Sequence, residues 1–382
     1  MNRYSVHDQG ERLMQTMSGK AASPLVVQPR IVLWHVGNRV FNLDREKYNE
    51  QVHSPVPEKF WGKELLEVYD LLGASPRYPH EAFPGLTLFS TNLVPGHQVK
   101  RKVAGGPDPA ATYVKTTTPA GSVVEGTRGG YRVEYPVKKV EDLAVVRHVV
   151  EHSEFRFNEV AHDVLVEGLE GRSVPCSYFP RSPIQRCILE FLGFERTALF
   201  LRRYPDQVHE FLSFLDGWAD EMFDVLCASP VPLLNFGENV DCHLNPPHWY
   251  LNYQVPYFEK RVAQLHAAGK LCHAHFDGNL RDLLPHLGVV DFDGIEAATP
   301  VPQGDVTLEE LREAIPERVV LLDGIPATLF MRQFPEERLI EHVERLIDLF
   351  APRLVVGVSD ELPAHGEIRR LEKVARLVRD VT

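Results

Sequence analysis

From about residue 172 to the end of the chain, short apolar runs alternate with longer amphipathic segments. Each run has the length of a buried strand, and the segments between them have helical periodicity. Strands separated by helices of this length pair in parallel through right-handed crossovers. The predicted strands are Val174–Phe179, Pro232–Phe236, Lys270–His275, Gly294–Ala298, Arg318–Leu322 and Arg353–Val358. The predicted helices are Pro183–Leu192, Val208–Leu226, Trp249–Ala268, Leu280–Leu287, Leu308–Ala314 and Glu336–Phe350.

Six such strands, with one or two more from the N-terminal part, predict an α/β fold of the (β/α)₈ TIM barrel type. The 382 residues are enough for such a barrel with additional elements. A doubly wound open sheet is the alternative, but no glycine-rich dinucleotide fingerprint follows any of the strands. We divide the chain into a flexible polar arm (1–28), an N-terminal extension with a cap and the first barrel elements (29–150), and the main barrel (151–382).

The N-terminal part does not show this alternation of strand and helix patterns. Arg30–Val36 is a strand candidate, and Trp61–Leu72 has helical periodicity that ends at Gly73. Residues 73–135 are rich in Pro, Gly and Thr and contain short alternating runs, which predict hairpins or an irregular cap. A helix is expected to begin near Asp142.

The composition excludes several classes of partner. Lysine and arginine number 41 against 53 acidic residues, and the resulting net charge of −12 disfavours nucleic acid and anionic membranes. The 5 cysteines form no Cys-x-x-Cys pair, and their scatter is typical of a reducing cytoplasm. No stretch approaches the roughly 18 apolar residues of a membrane span. We therefore expect a soluble, cytoplasmic protein that acts on a small molecule.

The stretch Lys270–Leu280 brings several side chains that could bind a metal or transfer a proton close together in sequence. Alternate side chains of a strand share one face, so His273 and His275 point the same way, and Asp277 joins them if the strand continues. Two imidazoles and a carboxylate can bind a divalent cation or transfer protons. Alternatively, the histidines are a hydrogen-bonded core pair and Asp277 caps the next helix. Cys272 points to the opposite face, where a buried structural thiol is expected.

Polar side chains also follow the other strands of the predicted barrel, at the end where such barrels carry their functional residues. Carboxylates crowded on one rim repel each other unless a cation or a shared proton offsets the charge. His275, Asp277 and Glu238 are the expected ligands of a divalent metal; without one, a carboxyl with a raised pKa would serve as general acid. The candidate catalytic residues are Asp277, His275, Glu238, Asp323 and Asp360. The candidate substrate-binding residues are Tyr178, Arg181, Asn239, Asp241, Glu296 and Thr299.

Several motifs resemble those of the uroporphyrinogen decarboxylase superfamily. They are His275-Phe-Asp-Gly-Asn279 after a strand, Gly294-Ile-Glu-Ala-Ala-Thr-Pro300, Val320-Leu-Leu-Asp-Gly324, Glu238-Asn-Val240, Pro246-Pro-His-Trp-Tyr250 and Val255-Pro-Tyr-Phe258, with weaker likeness upstream at Thr118–Gly121 and Tyr135–Lys138. The resemblance is clearest over residues 172–380, and it implies a (β/α)₈ barrel.

Two activities divide that superfamily. True decarboxylases begin with an Arg-Gln-Ala-Gly-Arg motif that is absent here; Arg30–Arg39 is only a loose candidate for the region. The other branch, methylcobalamin:coenzyme M methyltransferases, holds zinc through His-x-Cys and a distant Cys. Here His275 matches the histidine, Asp277 replaces the first thiol, and Gly357–Glu361 lacks the second.

We therefore expect a metal-dependent methyltransferase of the corrinoid-linked type, with Zn²⁺ as the first candidate ion and a small corrinoid protein as partner. The alternative is decarboxylation of a tetrapyrrole or another polycarboxylate, with Arg181 and Arg39 binding carboxylates. The acidic rim disfavours that alternative. A divergent binding protein that has lost its chemistry is a third hypothesis. A homodimer is compatible with a barrel of this size.

Overall fold

The structure, a computed structural model, describes residues 5–20 and 24–381. Its strands are β1 (Val26–Val27), β2 (Phe89–Leu93), β3 (Lys100–Ala104), β4 (Thr112–Thr118), β5 (Gly121–Arg128), β6 (Tyr131–Glu134), β7 (Ser153–Phe157), β8 (Cys176–Tyr178), β9 (Leu233–Val240), β10 (Leu271–Phe276), β11 (Gly294–Glu296), β12 (Val320–Pro326) and β13 (Leu354–Ser359). The α-helices are α1 (Gln9–Met17), α2 (Val32–Gly37), α3 (Tyr48–Gln51), α4 (Leu65–Leu72), α5 (Pro79–Ala82), α6 (Leu143–Glu151), α7 (Glu159–Leu169), α8 (Pro183–Arg186), α9 (Phe194–Arg203), α10 (Pro205–Ala228), α11 (Pro247–Trp249), α12 (Val255–Ala267), α13 (Leu308–Ala314), α14 (Glu336–Phe350) and α15 (Ile368–Val381).

A parallel sheet of 7 strands is the centre of the fold, in the order β1-β13-β12-β11-β10-β9-β8. Strands that follow each other in the C-terminal half of the sequence are therefore neighbours in the sheet. Every residue of β12 and β13 is buried, as expected for parallel strands covered on both faces. All six strands predicted from the apolar runs are confirmed, and so is the α/β class with a parallel sheet.

Helices cover the sheet because each presents an apolar stripe to it. In α14, Leu339, Val343 and Leu346 are buried at helical spacing, and the helix ends where Phe350 enters the core. The predicted segments at 183–192 and 249–268 each contain a π-helical turn, Cys187–Phe191 and Tyr250–Gln254. The segment predicted at 280–287 is a 3₁₀ helix, Arg281–His286. The helices α7, α9 and α15 were not predicted.

The described part of the expected flexible arm is ordered instead. Helix α1 buries Leu13 and Met17, and Val26 and Val27 of β1 pair with β13. The expectation of a flexible arm is therefore wrong for residues 5–20 and 24–28, because a short apolar Leu-Val-Val run supplies an edge strand. Residues 1–4 and 21–23 of that arm lie outside the described residues.

The strand predicted at Arg30–Val36 is also wrong, since Val32–Gly37 is helix α2. Ile31, Trp34 and His35 are buried while Leu33 is exposed, so the buried positions have a spacing of three and four rather than two. The predicted helix that ends at Gly73 is confirmed as α4, where Gly73 adopts the left-handed conformation of a C-cap.

Between α5 and α6 the chain forms antiparallel structure. Strands β3, β4, β5 and β6 make a four-stranded sheet in sequence order, and β2 pairs with β7. The hairpins predicted within residues 73–135 are confirmed, and helix α6 follows at Leu143. The domain boundaries at 28 and 150 remain a prediction.

Within residues 5–20 and 24–381, no helix has both the length and the apolar composition needed to cross a bilayer.

We predict that Gly357→Ala destabilises the fold by roughly 1–3 kcal/mol, the usual cost of overpacking. A Cβ at this position in β13 would overlap Asp323 Oδ1 and approach the carbonyl oxygen of Gln28. Urea unfolding measures the change. Gly217→Ala in α10 is the matched control, because its Cβ meets no atom within 4 Å and alanine favours helix. Equal stability of Gly357→Ala and the parent chain would contradict this packing.

Candidate active site

A fully buried carboxylate, Glu296 at the end of β11, is the centre of a hydrogen-bond network. Arg77 Nη1 donates to its Oε1 over 2.8 Å, and the Tyr78 hydroxyl donates to the same oxygen over 2.6 Å. Asn235 Nδ2 donates to Oε2 over 2.6 Å, and His275 Nδ1 lies 3.0 Å from Oε2. Burial alone would raise the pKa of Glu296, but the His275 hydrogen bond and the Arg77 charge hold it well below its usual value.

The same guanidinium holds a second buried carboxylate. Arg77 Nη2 lies 2.7 Å from Asp323 Oδ1, and Nη1 lies 3.1 Å from Oδ2, a bidentate pair. Nη2 also donates to the Gln28 carbonyl over 2.9 Å. Asp323, which lies inside β12 at φ 85°, is thus held by Arg77, a residue outside the predicted barrel strands.

The two histidines of β10 face the same side of the sheet, as predicted. His273 Nε2 lies 3.8 Å and His275 Nδ1 lies 3.0 Å from the same oxygen of Glu296. His273 is completely buried, and neither of its ring nitrogens has a hydrogen-bond partner among the described residues. Burial lowers the pKa of His273 to about 4, so this ring is neutral at pH 7.

His275, Asp277 and Asp360 form a cluster at the C-terminal ends of β10 and β13. One ligand atom from each lies within 4.8 Å of the others. Although burial opposes it, the hydrogen bond with Glu296 raises the pKa of His275 above its ordinary value. Burial raises the pKa of Asp277. The structure therefore brings together three of the five predicted catalytic residues.

The donor set of this cluster fits a divalent cation. His275 Nε2 is buried and has no hydrogen-bond partner in the described structure, while Nδ1 faces the Glu296 carboxylate. When Nδ1 carries the proton toward Glu296, the lone pair of Nε2 is left available to a cation, which is the carboxylate–histidine–metal arrangement of many metal sites. The two aspartates add oxygen donors, so the set suits Zn²⁺, Mn²⁺ or Fe²⁺.

Asp360 is oriented by Arg30, which follows β1. Arg30 Nη1 lies 2.6 Å from Asp360 Oδ1, and its Nη2 lies 3.3 Å from Glu81 and 3.5 Å from Glu361. Burial opposes the charge on Arg30, but Asp360, Glu81 and Glu361 raise its pKa. Burial raises the pKa of Glu81 to about 7, although Arg30 opposes this. One cation therefore serves three carboxyls at this edge of the rim.

Glu238, predicted as a metal ligand, is not part of the cluster. Its two oxygens accept hydrogen bonds from the Ser182 amide and hydroxyl, each over 2.6 Å. Burial raises its pKa to about 7. Of the expected ligand set of His275, Asp277 and Glu238, Glu238 lies outside the cluster because its carboxylate binds Ser182 at the start of α8, and the third member of the cluster is Asp360.

The predicted substrate-binding residues occupy several environments. Tyr178 is 47% exposed and packs edge-on against Tyr78 and His80 at the mouth of the rim. Arg181 pairs with Glu190 over 3.6 Å. The other four serve the local fold or face solvent. Asn239 is exposed at φ 55°, and Asp241 accepts hydrogen bonds from the amides of His243 and Asn279. Thr299 donates to the Ala297 carbonyl, and the Glu296 carboxylate is fully hydrogen-bonded within the buried network.

Arg30, Arg77, Tyr78, Glu81 and Asn235 were missed as site residues. Asn235 is a single polar residue inside the apolar run Leu233-Leu-Asn-Phe236, and that was the available signal. Arg77 and Tyr78 lie in an irregular stretch between α4 and α5 that has no period to identify it. Arg39 is exposed and, within the described structure, makes no hydrogen bond or ion pair through its side chain.

A second grouping of metal-binding types is His266, Cys272 and Asp293. Asp293 Oδ2 already accepts from the Cys272 amide over 2.7 Å and lies 3.0 Å from His266 Nε2. Burial raises the pKa of the Cys272 thiol well above its usual value. Cys272 is part of the apolar core on the face opposite His273 and His275, so the predicted structural role fits this grouping.

We predict that His273 makes the fold sensitive to acid. The pKa of His273 is about 4 in the folded chain and 6.5 in the unfolded chain. The free energy of unfolding is therefore highest above pH 6.5 and decreases as the pH falls toward 4, because only the unfolded chain takes up the proton in that range. Between pH 7 and pH 5 this loss is about 2 kcal/mol. Measured by urea unfolding, the loss of stability from pH 7 to pH 5 should be smaller by that amount in His273→Leu than in the parent chain. The control His209→Ala, at an exposed histidine, should lose as much stability as the parent chain does. Identical losses in His273→Leu and the parent would refute a neutral buried ring.

The chain was compared with known proteins. Residues 121–381 match the family model described as uroporphyrinogen decarboxylase (URO-D). No curated protein sequence matches. Among 32 matching chains of solved structures is a methyltransferase from Methanosarcina mazei. It has a TM-score of 0.56 and 12% sequence identity, over 98% of this chain and 98% of that chain, a likeness that shows the fold alone. Because the family model covers more than half of the sequence, the chain belongs to the uroporphyrinogen decarboxylase family.

Proposed function

We propose that this protein is an enzyme whose active site is the cluster of His275, Asp277 and Asp360, and that it is a metal-dependent methyltransferase acting on a small molecule. The observation that carries the proposal is the state of His275. Its Nδ1 is fixed by the buried Glu296, and its Nε2 is buried without a hydrogen-bond partner among residues 5–20 and 24–381. A buried lone pair without a partner is costly, and a bound cation would satisfy it.

His275, Asp277 and Asp360 would hold the cation. A bound divalent ion supplies Lewis-acid chemistry, lowering the pKa of an acceptor group or polarising a donor. Zn²⁺ is the first candidate because a mixed nitrogen and oxygen set with an open position is typical of catalytic zinc. Both thiolates of the related methyltransferases are replaced here, so the site is harder than theirs, and Mn²⁺ and Fe²⁺ are the other candidates.

The surrounding residues would position the acceptor and move its proton. Asp277 is partly open to the rim, and burial raises its pKa, which makes its carboxylate a better proton acceptor for a bound substrate. Tyr178 and His80 offer an aromatic wall at the mouth. Arg30 keeps Asp360 in place through its 2.6 Å contact and offsets the charge of the rim carboxylates.

The methyl donor is expected to be a corrinoid carried by a partner protein. The similar structure from Methanosarcina mazei is that of a methyltransferase; at 12% identity it supports the fold and suggests the reaction class. A corrinoid protein would dock on the rim where Tyr178 is exposed. The homodimer stays a prediction, which light scattering would test.

Decarboxylation, the activity that gives the family its name, is the second candidate. A substrate with several carboxylates needs several free cations in the pocket. The two arginines near the rim are both engaged, Arg30 by three carboxyls and Arg181 by Glu190. Charge therefore favours a cation-binding site over a polycarboxylate site.

We also propose that the sheet closes into the eight-stranded barrel of the family. The Ser75 amide donates to the Val27 carbonyl of β1 over 2.8 Å, and the Ser173 hydroxyl donates to the Pro76 carbonyl over 2.8 Å. Residues 75–78 would thus be an irregular eighth strand between β1 and β8. This closure would explain how Arg77 and Tyr78 reach the interior.

Purified without a histidine tag, the chain should bind about one equivalent of Zn²⁺, measured by plasma mass spectrometry and calorimetry. His275→Ala and Asp360→Ala remove ligands and should weaken binding by more than about tenfold. Glu296→Gln keeps every ligand but removes the carboxylate that fixes Nδ1, and a loss of about 10–100-fold is expected.

Glu238→Gln and the exposed His209→Ala are the matched controls and should bind as the parent does. No binding of Zn²⁺, Mn²⁺ or Fe²⁺ by the parent chain would refute the metal site. A loss in Glu238→Gln as large as that in Asp360→Ala would restore the ligand set that the sequence predicted.

The reaction class is tested by two assays on the metal-loaded chain. Consumption of methylcobalamin, followed by its visible absorbance with a panel of small thiols and amines, should be metal-dependent and fall more than about hundredfold in Asp277→Asn. Arg181→Gln should leave it within about twofold. Metal-independent decarboxylation of uroporphyrinogen that is lost in Arg181→Gln would contradict methyl transfer and support the family's named activity.

A further inference from the structure

A cavity of about 520 Å³ lies between the antiparallel sheet and helices α6, α10 and the π-helical turn at Cys187–Phe191. One wall is apolar and includes Val123, Val146, Val150 and Phe191, with Trp218 of α10 beside them. None of its lining residues belongs to the cluster of His275, Asp277 and Asp360. Its volume is in the range that proteins use for small ligands.

The cavity also contains a guanidinium with unused donors. Arg186 is 12% exposed, and its Nε donates to Glu190 over 3.0 Å. Its guanidinium carbon lies 4.9 Å from the Phe191 ring centre and 5.4 Å from that of Trp218, so the group packs against two aromatic rings. Its two Nη groups have no hydrogen-bond partner among residues 5–20 and 24–381.

The charges around the cavity leave a positive excess. Arg132 pairs with Glu125, and Glu190 is shared between Arg186 and Arg181. Arg101 of β3 also lines the cavity and, within the described chain, has no carboxylate partner. Three arginines therefore face two glutamates across an apolar floor. A fixed guanidinium with free N–H donors in a partly desolvated cavity is a typical binding group for carboxylate or sulfonate.

We propose that this cavity is a second ligand site, for an amphipathic anion that has an apolar ring system and one carboxylate or sulfonate group. The anionic group would accept from the Nη donors of Arg186, with Arg101 adding charge at the entrance. The ring system would lie on the valine wall beside Trp218. This inference does not depend on the proposed reaction, because the two sites share no residue.

The test uses two probes that differ in charge. Anilinonaphthalene sulfonate has a ring system and a sulfonate, and N-phenyl-1-naphthylamine has the same rings without it. Calorimetry on the full chain should show one saturable site for the sulfonate probe. Arg186→Met keeps an apolar stem and should weaken that probe by about tenfold while changing the neutral probe less than about twofold. Val149→Trp, which fills the cavity, should weaken both probes.

Arg202→Met, which removes an exposed arginine of α9 outside the cavity, is the matched control and should bind both probes as the parent does. If Arg186→Met unfolds at a lower temperature than the parent, Arg101→Gln gives the charge test on an exposed side chain, and the sulfonate probe should weaken about threefold. Absence of a saturable site in the parent would overturn the proposal. So would binding that neither Arg186→Met nor Val149→Trp alters, because the probe would then lie elsewhere.

Discussion

The buried guanidinium of Arg77 pairs with two buried carboxylates in the interior of this protein. Arg77 has its side chain 1% exposed and contacts Glu296 and Asp323, both fully buried. Removing one partner from such a group typically costs about 3–5 kcal/mol, because an uncompensated charge stays in the interior. Arg77 therefore supplies the charge that balances Glu296 and Asp323, and the uncharged contacts from Tyr78 and Asn235 hold the Glu296 carboxylate beside it.

The candidate metal site is built on this network. Glu296 fixes the Nδ1 side of His275, and the other nitrogen of that ring is buried and has no hydrogen-bond partner among the described residues. On the opposite side Arg30 holds Asp360. The candidate ligands His275 and Asp360 are thus each oriented by a charged neighbour, an arrangement by which proteins keep the ligands of a metal site in position. A donor set of nitrogen and oxygen atoms prefers harder cations than a set with thiolates does.

Much of this could be predicted from the sequence. Apolar runs separated by amphipathic segments predicted the parallel strands, and the rule that function lies at their C-terminal ends singled out the three members of the cluster, His275, Asp277 and Asp360. Alternation along β10 also placed His273 beside His275 correctly. These features are local, so a pattern in the chain is enough to reveal them.

What could not be predicted depends on long-range contacts. Arg77 lies 219 residues from Glu296 in sequence, within a stretch that has no secondary-structure period. Glu238 follows a strand like the true cluster members, but its carboxylate turns to Ser182, and no local pattern distinguishes the two directions. The two-residue strand β1 is too short to identify by alternation.

The central claim is that His275, Asp277 and Asp360 bind one divalent cation. Anomalous X-ray diffraction at the zinc edge, on crystals grown with Zn²⁺, tests it most directly. The account predicts one strong peak about 2.0–2.2 Å from His275 Nε2 and from an oxygen of each aspartate. A peak at His266, Cys272 and Asp293 instead, or none beside His275 at full zinc loading, would contradict it.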